Sequence, residues 1–127
     1  RLEQAKNFWL CTASPQGRPH AAPLWGAWVE DRLYFDGSPT TRWGRNLAAN
    51  PFASVHLESG SDVVIVEGRI EAVADVGEAL AGRIADSFAA RYDGFRPEGR
   101  SFLTLVPRVA FAWSRFPDDA TRWTFGE

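Results

Sequence analysis

Short apolar runs alternate with polar turns along most of this chain, a spacing that predicts strands joined by hairpins. Phe8–Ser14 is nearly all apolar, and Ser14-Pro15-Gln16-Gly17 after it suits a hairpin turn. Pro19–Glu30 reads as a long second strand, and Arg32–Asp36, with Leu33, Tyr34 and Phe35, as a third. Pro19 and Pro23 fall inside the second strand. Proline gives no N–H to a ladder, so they predict an edge, a bulge or an approach by another molecule. Phe52–Glu58 alternates, with Ser54, His56 and Glu58 on one face and Ala53, Val55 and Leu57 on the other. Val63–Ala74 begins as a solid apolar run and then alternates. Ser101–Val106 and Arg108–Arg115 read as two further strands, and Arg122-Trp123-Thr124-Phe125 as a short tail.

Helical periodicity interrupts this pattern. Arg1–Lys6 reads as the end of a short helix. Ser38-Pro39 predicts a helix start, Ser at the N-cap and Pro at the first helical position, for a helix reaching Asn50. Asp75–Tyr92 carries the strongest helical signal. Asp75 and Glu78 have capping-box spacing, and Val76, Leu80, Ile84, Phe88 and Tyr92 form one apolar stripe. Six or seven strands joined mostly by tight turns, with two inserted helices, imply a mainly β antiparallel barrel. Short connections exclude a doubly wound parallel sheet.

Composition narrows the function. At 127 residues the chain makes one domain, 1–127, with room for a sizeable core. A net charge of −2 and no basic stretch argue against nucleic acid as the main partner. No apolar run reaches the roughly 20 residues of a membrane span, and no signal peptide opens the chain. The one cysteine, Cys11, has no internal disulfide partner, which suits the cytoplasm. Six tryptophans are too many for a small barrel to bury completely, so some of Trp25, Trp28, Trp43, Trp113 and Trp123 are expected to line a pocket or an interface.

Catalytic and metal motifs are sparse. His20 and His56 are the only histidines and read as ordinary strand residues, with no nitrogen or sulfur ligands at metal spacing. There is no nucleophile elbow, dinucleotide fingerprint or P-loop. The helix from Ser38 differs. Arg42, Arg45 and Asn46 lie three and four apart on one face, while Trp43 and Leu47 mark an apolar face. One reading is a plain amphipathic helix. The other adds the hydroxyls of Ser38, Thr40 and Thr41 at the helix start, and hydroxyls, guanidinium groups and free N–H groups are what a phosphate binds.

The segments FWLCTASPQGRPHAAPLWGAWVEDRLYF, SPTTRWGRNLAANP, VHLESGSDVVIVEGRIEAV and TRWTF, in this order, resemble the flavin-binding split-barrel superfamily that includes pyridoxamine 5'-phosphate oxidase. More closely, the chain is similar to its actinobacterial branch of flavin- and deazaflavin (coenzyme F420)-dependent oxidoreductases. The resemblance implies a six- to seven-stranded antiparallel Greek-key split barrel, and a homodimer with a cofactor groove at its interface. It implies that Ser38, Thr40, Thr41, Arg42, Trp43, Arg45 and Asn46 hold the cofactor phosphate, and that the ring lies against Ala22, Pro23, Leu24 and Trp25. Val64–Gly68 would border the groove. Arg122 and Trp123 would lie near a groove, their own or the partner subunit's.

Many relatives have Lys where this chain has Trp43, so the phosphate site would rest on Arg42, Arg45 and the hydroxyls, with Trp43 either stacking on the cofactor or packing. The oxidase's C-terminal pyridoxal-phosphate motif is not recognisable, which argues against vitamin B6 oxidation. The resemblance implies hydride transfer between F420 and a small organic substrate. An FMN-dependent oxidoreductase is the nearest alternative, and a non-catalytic flavin, haem or tetrapyrrole binder is another. The cofactor carries the hydride chemistry, so no dedicated acid or base is required, and His56 and Tyr34 are the candidate proton donors.

Overall fold

The computed structural model describes residues 2–126, so Arg1 and Glu127 of the expected 1–127 domain lie outside the described residues. After a single 3-10 turn, Leu2–Gln4, eight strands and two helices follow. The strands are β1 Phe8–Ala13, β2 Pro19–Leu24, β3 Ala27–Val29, β4 Arg32–Phe35, β5 Phe52–His56, β6 Val63–Val73, β7 Phe102–Trp113 and β8 Thr121–Thr124. Helix α1 is Arg42–Ala49 and α2 is Glu78–Arg91. The described pairings are all antiparallel, in the order β2-β1-β5-β6-β7-β4-β3, with β8 added to β7. The two ends of that order, β2 and β3, are consecutive in the chain, so the sheet curls back toward itself.

Three expectations about elements are corrected. Pro19–Glu30 is two strands, because the chain turns at Trp25-Gly26. There the Tyr92 hydroxyl takes the Gly26 N–H that a continuous ladder would have used. The prolines of β2 sit on the sheet's edge, where the missing N–H costs no ladder bond. Conversely, Ser101–Val106 and Arg108–Arg115 form one strand, β7. A bulge absorbs Pro107: Gly68 faces Pro107 while Glu67 faces Val109, leaving Arg108 as the extra residue. The bulge also reverses side-chain parity. Leu103 and Leu105 point into the barrel before it, Ala110 and Ala112 after it. Gly68 is obligatory there, since a Cβ would lie 2.0 Å from the Val106 carbonyl oxygen. Finally, α2 begins at Glu78 with Gly77 as N-cap, and Asp75 does not form a capping box. Its Oδ1 accepts from the Gly77 N–H instead, at 2.8 Å.

Two cores result. The barrel interior holds Phe8, Leu10, Leu33, Phe35, Val55 and Leu105, with Trp43 and Leu47 of α1 packed against it. The expected stripe of α2 makes the second core, placing Ile84, Phe88 and Tyr92 over the outer side of Ala27, Tyr34 and Phe102. Each such large side chain contributes about 1.5–3 kcal/mol by leaving water. Helix α2 covers the sheet only at β3, β4 and the first half of β7. The outer face across β2, β1, β5, β6 and the second half of β7 has no helix on it, and one transverse row reads Pro23, Trp9, His56, Ile65, Phe111, Arg122.

Candidate functional site

The loop before α1 folds tightly onto the first helical turn. Thr41, not Ser38, is the N-cap: its Oγ1 accepts the Gly44 N–H at 3.0 Å and donates to the Ser38 carbonyl at 2.8 Å. Ser38 lies too far upstream to reach the helix, and its hydroxyl closes a local turn by accepting the Thr40 N–H at 3.1 Å. The helix therefore starts at Arg42, and Pro39 precedes it. Gly44 permits this packing, because a Cβ would sit 2.7 Å from the Ser38 carbonyl oxygen.

Ser38 Oγ and Thr40 Oγ1 lie 2.6 Å apart on the exposed side of the loop. Arg45 is exposed, with Nη1 donating to the Thr40 carbonyl at 2.7 Å, and Arg42 is exposed beside it. Exposed hydroxyls and guanidinium groups thus converge on one turn, a donor set that fits a phosphate. Of the other three residues of the expected cluster, Thr41 uses its hydroxyl for the helix cap, and Asn46 and Trp43 turn away. Asn46 is buried, its Nδ2 donating to Thr12 Oγ1 at 3.0 Å. Trp43 meets Phe35 edge-on at 5.8 Å and closes over Gly37. Of the two roles open to Trp43, packing is the one the geometry supports.

Helix α1 rests on β1 and β2, so the expected ring strand and phosphate segment do come side by side. Within β2, Ala22 and Leu24 lie opposite the buried Leu10 and Phe8, and Pro23 lies opposite Trp9 on the uncovered outer face. Trp25 leaves the strand and stacks on Tyr92, with ring centroids 4.3 Å apart and planes 5° from parallel. On the outer face, a hollow of about 450 Å³ lies among Cys11, Ser54, Phe52, Glu67 and Arg108. His56 lies in the same face, stacked on Trp9, with Nδ1 bonded to the Leu57 carbonyl at 2.7 Å. Tyr34 is buried beneath α2 against Phe102, out of reach of any surface ligand.

The larger opening lies elsewhere. Along its first half β7 pairs with β4, and along its second half with β8. The bulge at Arg108 separates the two partners, and a cleft of about 780 Å³ opens at the fork. Its floor is Val64, Val66, Ala110 and Ala112, and its walls include Trp28, Trp123 and Phe125. The Val64–Gly68 segment is therefore divided: Val64 and Val66 reach this cleft, and Glu67, of opposite parity, reaches the outer hollow, which the Gly68 backbone also borders. Arg122 and Trp123 are divided in the same way. Trp123 faces the cleft opposite Ala110, and Arg122 lies opposite Phe111 on the outer face. Trp28, Asp31 and Phe125 were not singled out as binding residues by motif. Only the surplus of tryptophans pointed to one of them.

Tyr92 and Asp119 are electrostatically perturbed. Burial pushes the Tyr92 phenol upward, partly offset by its hydrogen bonding with Gly26 and by Arg91. The N–H groups of Arg115 and Ser114 hold the Asp119 carboxyl below its ordinary range. Neither lines either opening. Among the described residues no three His, Cys, Asp or Glu side chains are placed to hold a metal, and no helix is long and apolar enough to cross a membrane.

The pyridoxamine 5'-phosphate oxidase family model matches residues 1–114. No curated protein matches the sequence significantly. Among solved structures, an F420 reductase is 25% identical, with a TM-score of 0.66, covering 86% of this chain and 91% of that one. A haem-binding protein from Mycobacterium smegmatis is 20% identical, with a TM-score of 0.72, covering 95% of this chain and 53% of that one. HutZ, the haem storage protein from Vibrio cholerae, is 21% identical, with a TM-score of 0.65 and 87% of each chain covered. The split barrel expected from the sequence, its β7 fork and the match over nearly the full length agree, and the chain belongs to the pyridoxamine 5'-phosphate oxidase-like split-barrel family.

Proposed function

We propose that this protein is an oxidoreductase that transfers a hydride between coenzyme F420 and a small organic substrate. The observation that carries the reading is the exposed donor set of Ser38, Thr40, Arg42 and Arg45 at the start of α1, beside the proline-bearing edge strand β2. The likeness to an F420 reductase over most of both chains supports the deazaflavin over other flat cofactors. When bound, F420 supplies the hydride chemistry. The chain's own part is to bind and orient: Arg42, Arg45 and the hydroxyls hold the phosphate, and the Pro23 side of β2 offers the ring an apolar platform. His56 remains the candidate proton donor, with Nδ1 engaged by Leu57 and Nε2 free to exchange a proton.

The uncovered outer face supports a homodimer. Trp9, Ile65, Val109 and Phe111 are partly exposed there with no covering helix, and apolar sheet faces of this kind are stable when another surface excludes water from them. Arg122, at the end of the same row, would then lie at the interface.

FMN is the alternative for the same donor set, since it too presents a phosphate and a tricyclic ring. A haem-binding role draws on the two haem-protein neighbours and on the free Nε2 of His56. Fluorescence and absorbance titrations with F420, FMN and haemin separate the readings. F420 binding with none for FMN supports the deazaflavin enzyme. The reverse preference, or a haemin complex that His56→Ala abolishes, overturns it.

A further inference from the structure

We infer that the cleft at the β7 fork is a binding site for a hydrophobic organic cation, an amine carried on an apolar or aromatic body. The site is separate from the phosphate-binding turn of α1, none of whose residues lines it.

The tryptophans point to it first. Trp9 stacks on His56, Trp25 on Tyr92, Trp43 meets Phe35, and Trp113 meets Phe116. Trp28 and Trp123 alone of the six pair with no other ring, and both line the cleft. Trp28 comes from β3, which pairs with β4, and Trp123 from β8, so they stand on the two sides of the fork where β7 exchanges β4 for β8. Phe125 joins them, and both it and Trp123 are about half exposed, at 45% and 48%. Unpaired aromatic faces around one opening attract a cation through the ring quadrupole.

The rim supplies the second element. The β3–β4 turn places Glu30 and Asp31 at the cleft mouth, and both residues are held at positive φ, 53° and 62°. A two-residue turn of this shape favours Asn-Gly or Asp-Gly, because most side chains other than those of Asn and Asp are strained there. This chain instead puts a carboxylate at each position. Glu30 is bonded to Arg83 across the exposed surface, while Asp31 has no ionic partner among the described residues. Among the described residues Arg32 is the one guanidinium lining the cleft, and with Glu30 engaged by Arg83 the carboxylate left to meet a cation is that of Asp31. Apolar floor, aromatic walls and the Asp31 carboxylate at the mouth are complementary to an ammonium group with an apolar body.

The test measures binding of three naphthalene probes of one shape to the full chain in the absence of any flavin, by calorimetry and tryptophan quenching. The probes carry an aminomethyl, a hydroxymethyl or a carboxymethyl group. The ammonium probe is expected to bind about tenfold more tightly than the neutral one, with the carboxylate weakest. Trp123→Ala should abolish binding of all three. Asp31→Asn should remove the preference for the ammonium while keeping neutral binding, which separates recognition from folding. Equal affinity of the three probes, tightest binding of the carboxylate, or binding that survives Trp123→Ala overturns the inference. No detectable binding overturns it as well. Because no flavin is present, either result leaves the cofactor reading to its own titration.

Discussion

The hydroxyl of Tyr92 engages both backbone groups of Gly26, accepting from its N–H at 3.0 Å and lying 3.0 Å from its carbonyl oxygen. Its one proton is shared with the Lys6 carbonyl, 2.6 Å away. The neighbouring Arg91 donates to Ala5 and Gly26 carbonyls as well. The C-terminal end of α2 therefore ties the N-terminal turn to the break between β2 and β3. Tyr92→Phe leaves the Gly26 N–H and the Lys6 carbonyl without this partner and is expected to destabilise the fold by about 1–3 kcal/mol. Urea denaturation of the two proteins measures it.

The same residue sets a pH dependence. Burial raises the folded-state pKa of Tyr92 above its ordinary value of 10.0. The unfolded chain then releases this proton before the native state does. The contribution is fully present below the ordinary tyrosine pKa and is lost as pH rises through the folded value. Wild-type stability should fall across that alkaline window, and Tyr92→Phe should fall less steeply. Parallel pH–stability curves would show that Tyr92 does not set the slope.

Removing charge at the α1 turn tests the phosphate site. Arg42 and Arg45 are exposed, so Arg42→Ala with Arg45→Ala should change stability by less than about 0.5 kcal/mol. Each charge-assisted hydrogen bond lost from a phosphate is worth about 1.5–3 kcal/mol, so affinity for F420 should fall by at least about tenfold. Fluorescence titration reads the outcome, and unchanged affinity for both F420 and FMN would remove the phosphate site from this turn.

Trp43 gives the opposite expectation. Its ring fills the space over Gly37 and against Phe35. Trp43→Ala should cost about 3–5 kcal/mol through the cavity it leaves, measured by thermal or urea unfolding. A loss of cofactor affinity with stability intact would instead place the indole on the cofactor.

The β3–β4 turn should show a conflict between stability and binding. Asp31→Gly relieves a left-handed conformation and is expected to stabilise the protein by about 1 kcal/mol, while weakening the amine probe. Gly68→Ala is the contrasting backbone test. Its Cβ would lie 2.0 Å from the Val106 carbonyl oxygen, and a loss of about 3 kcal/mol is expected.

Local alternation and periodicity determined much of this protein without any tertiary information. The α2 stripe from Val76 to Tyr92 fell on the second core as read, because a helix with one apolar stripe has only one face to bury. The alternation of Val55 with Ser54 and His56 likewise fixed which face of β5 meets the barrel. The family resemblance rested on the order of such segments. Only the fold could decide what depends on partners far apart in sequence. Tyr92 ends β2 at Gly26 from 66 residues away, and the Gly68–Val106 approach converts two expected strands into one bulged strand. The bulge reverses the inward parity of β7, and no local pattern announces that.

The candidate site divides the same way. That Arg42 and Arg45 share one helix face was legible, because helical spacing is local, but the helix start was not, because the cap passes from Ser38 to Thr41 when the loop folds back onto the first turn. Trp43 was legible on the apolar face of the same helix, but the burial of Asn46, which the spacing put on the polar face, was not. Thr12 and Phe35, which hold them, come from other strands. The cleft was legible only as a surplus of tryptophans. Its walls come from β3 and β8, and the space between them exists only because β7 exchanges one partner for another at its bulge.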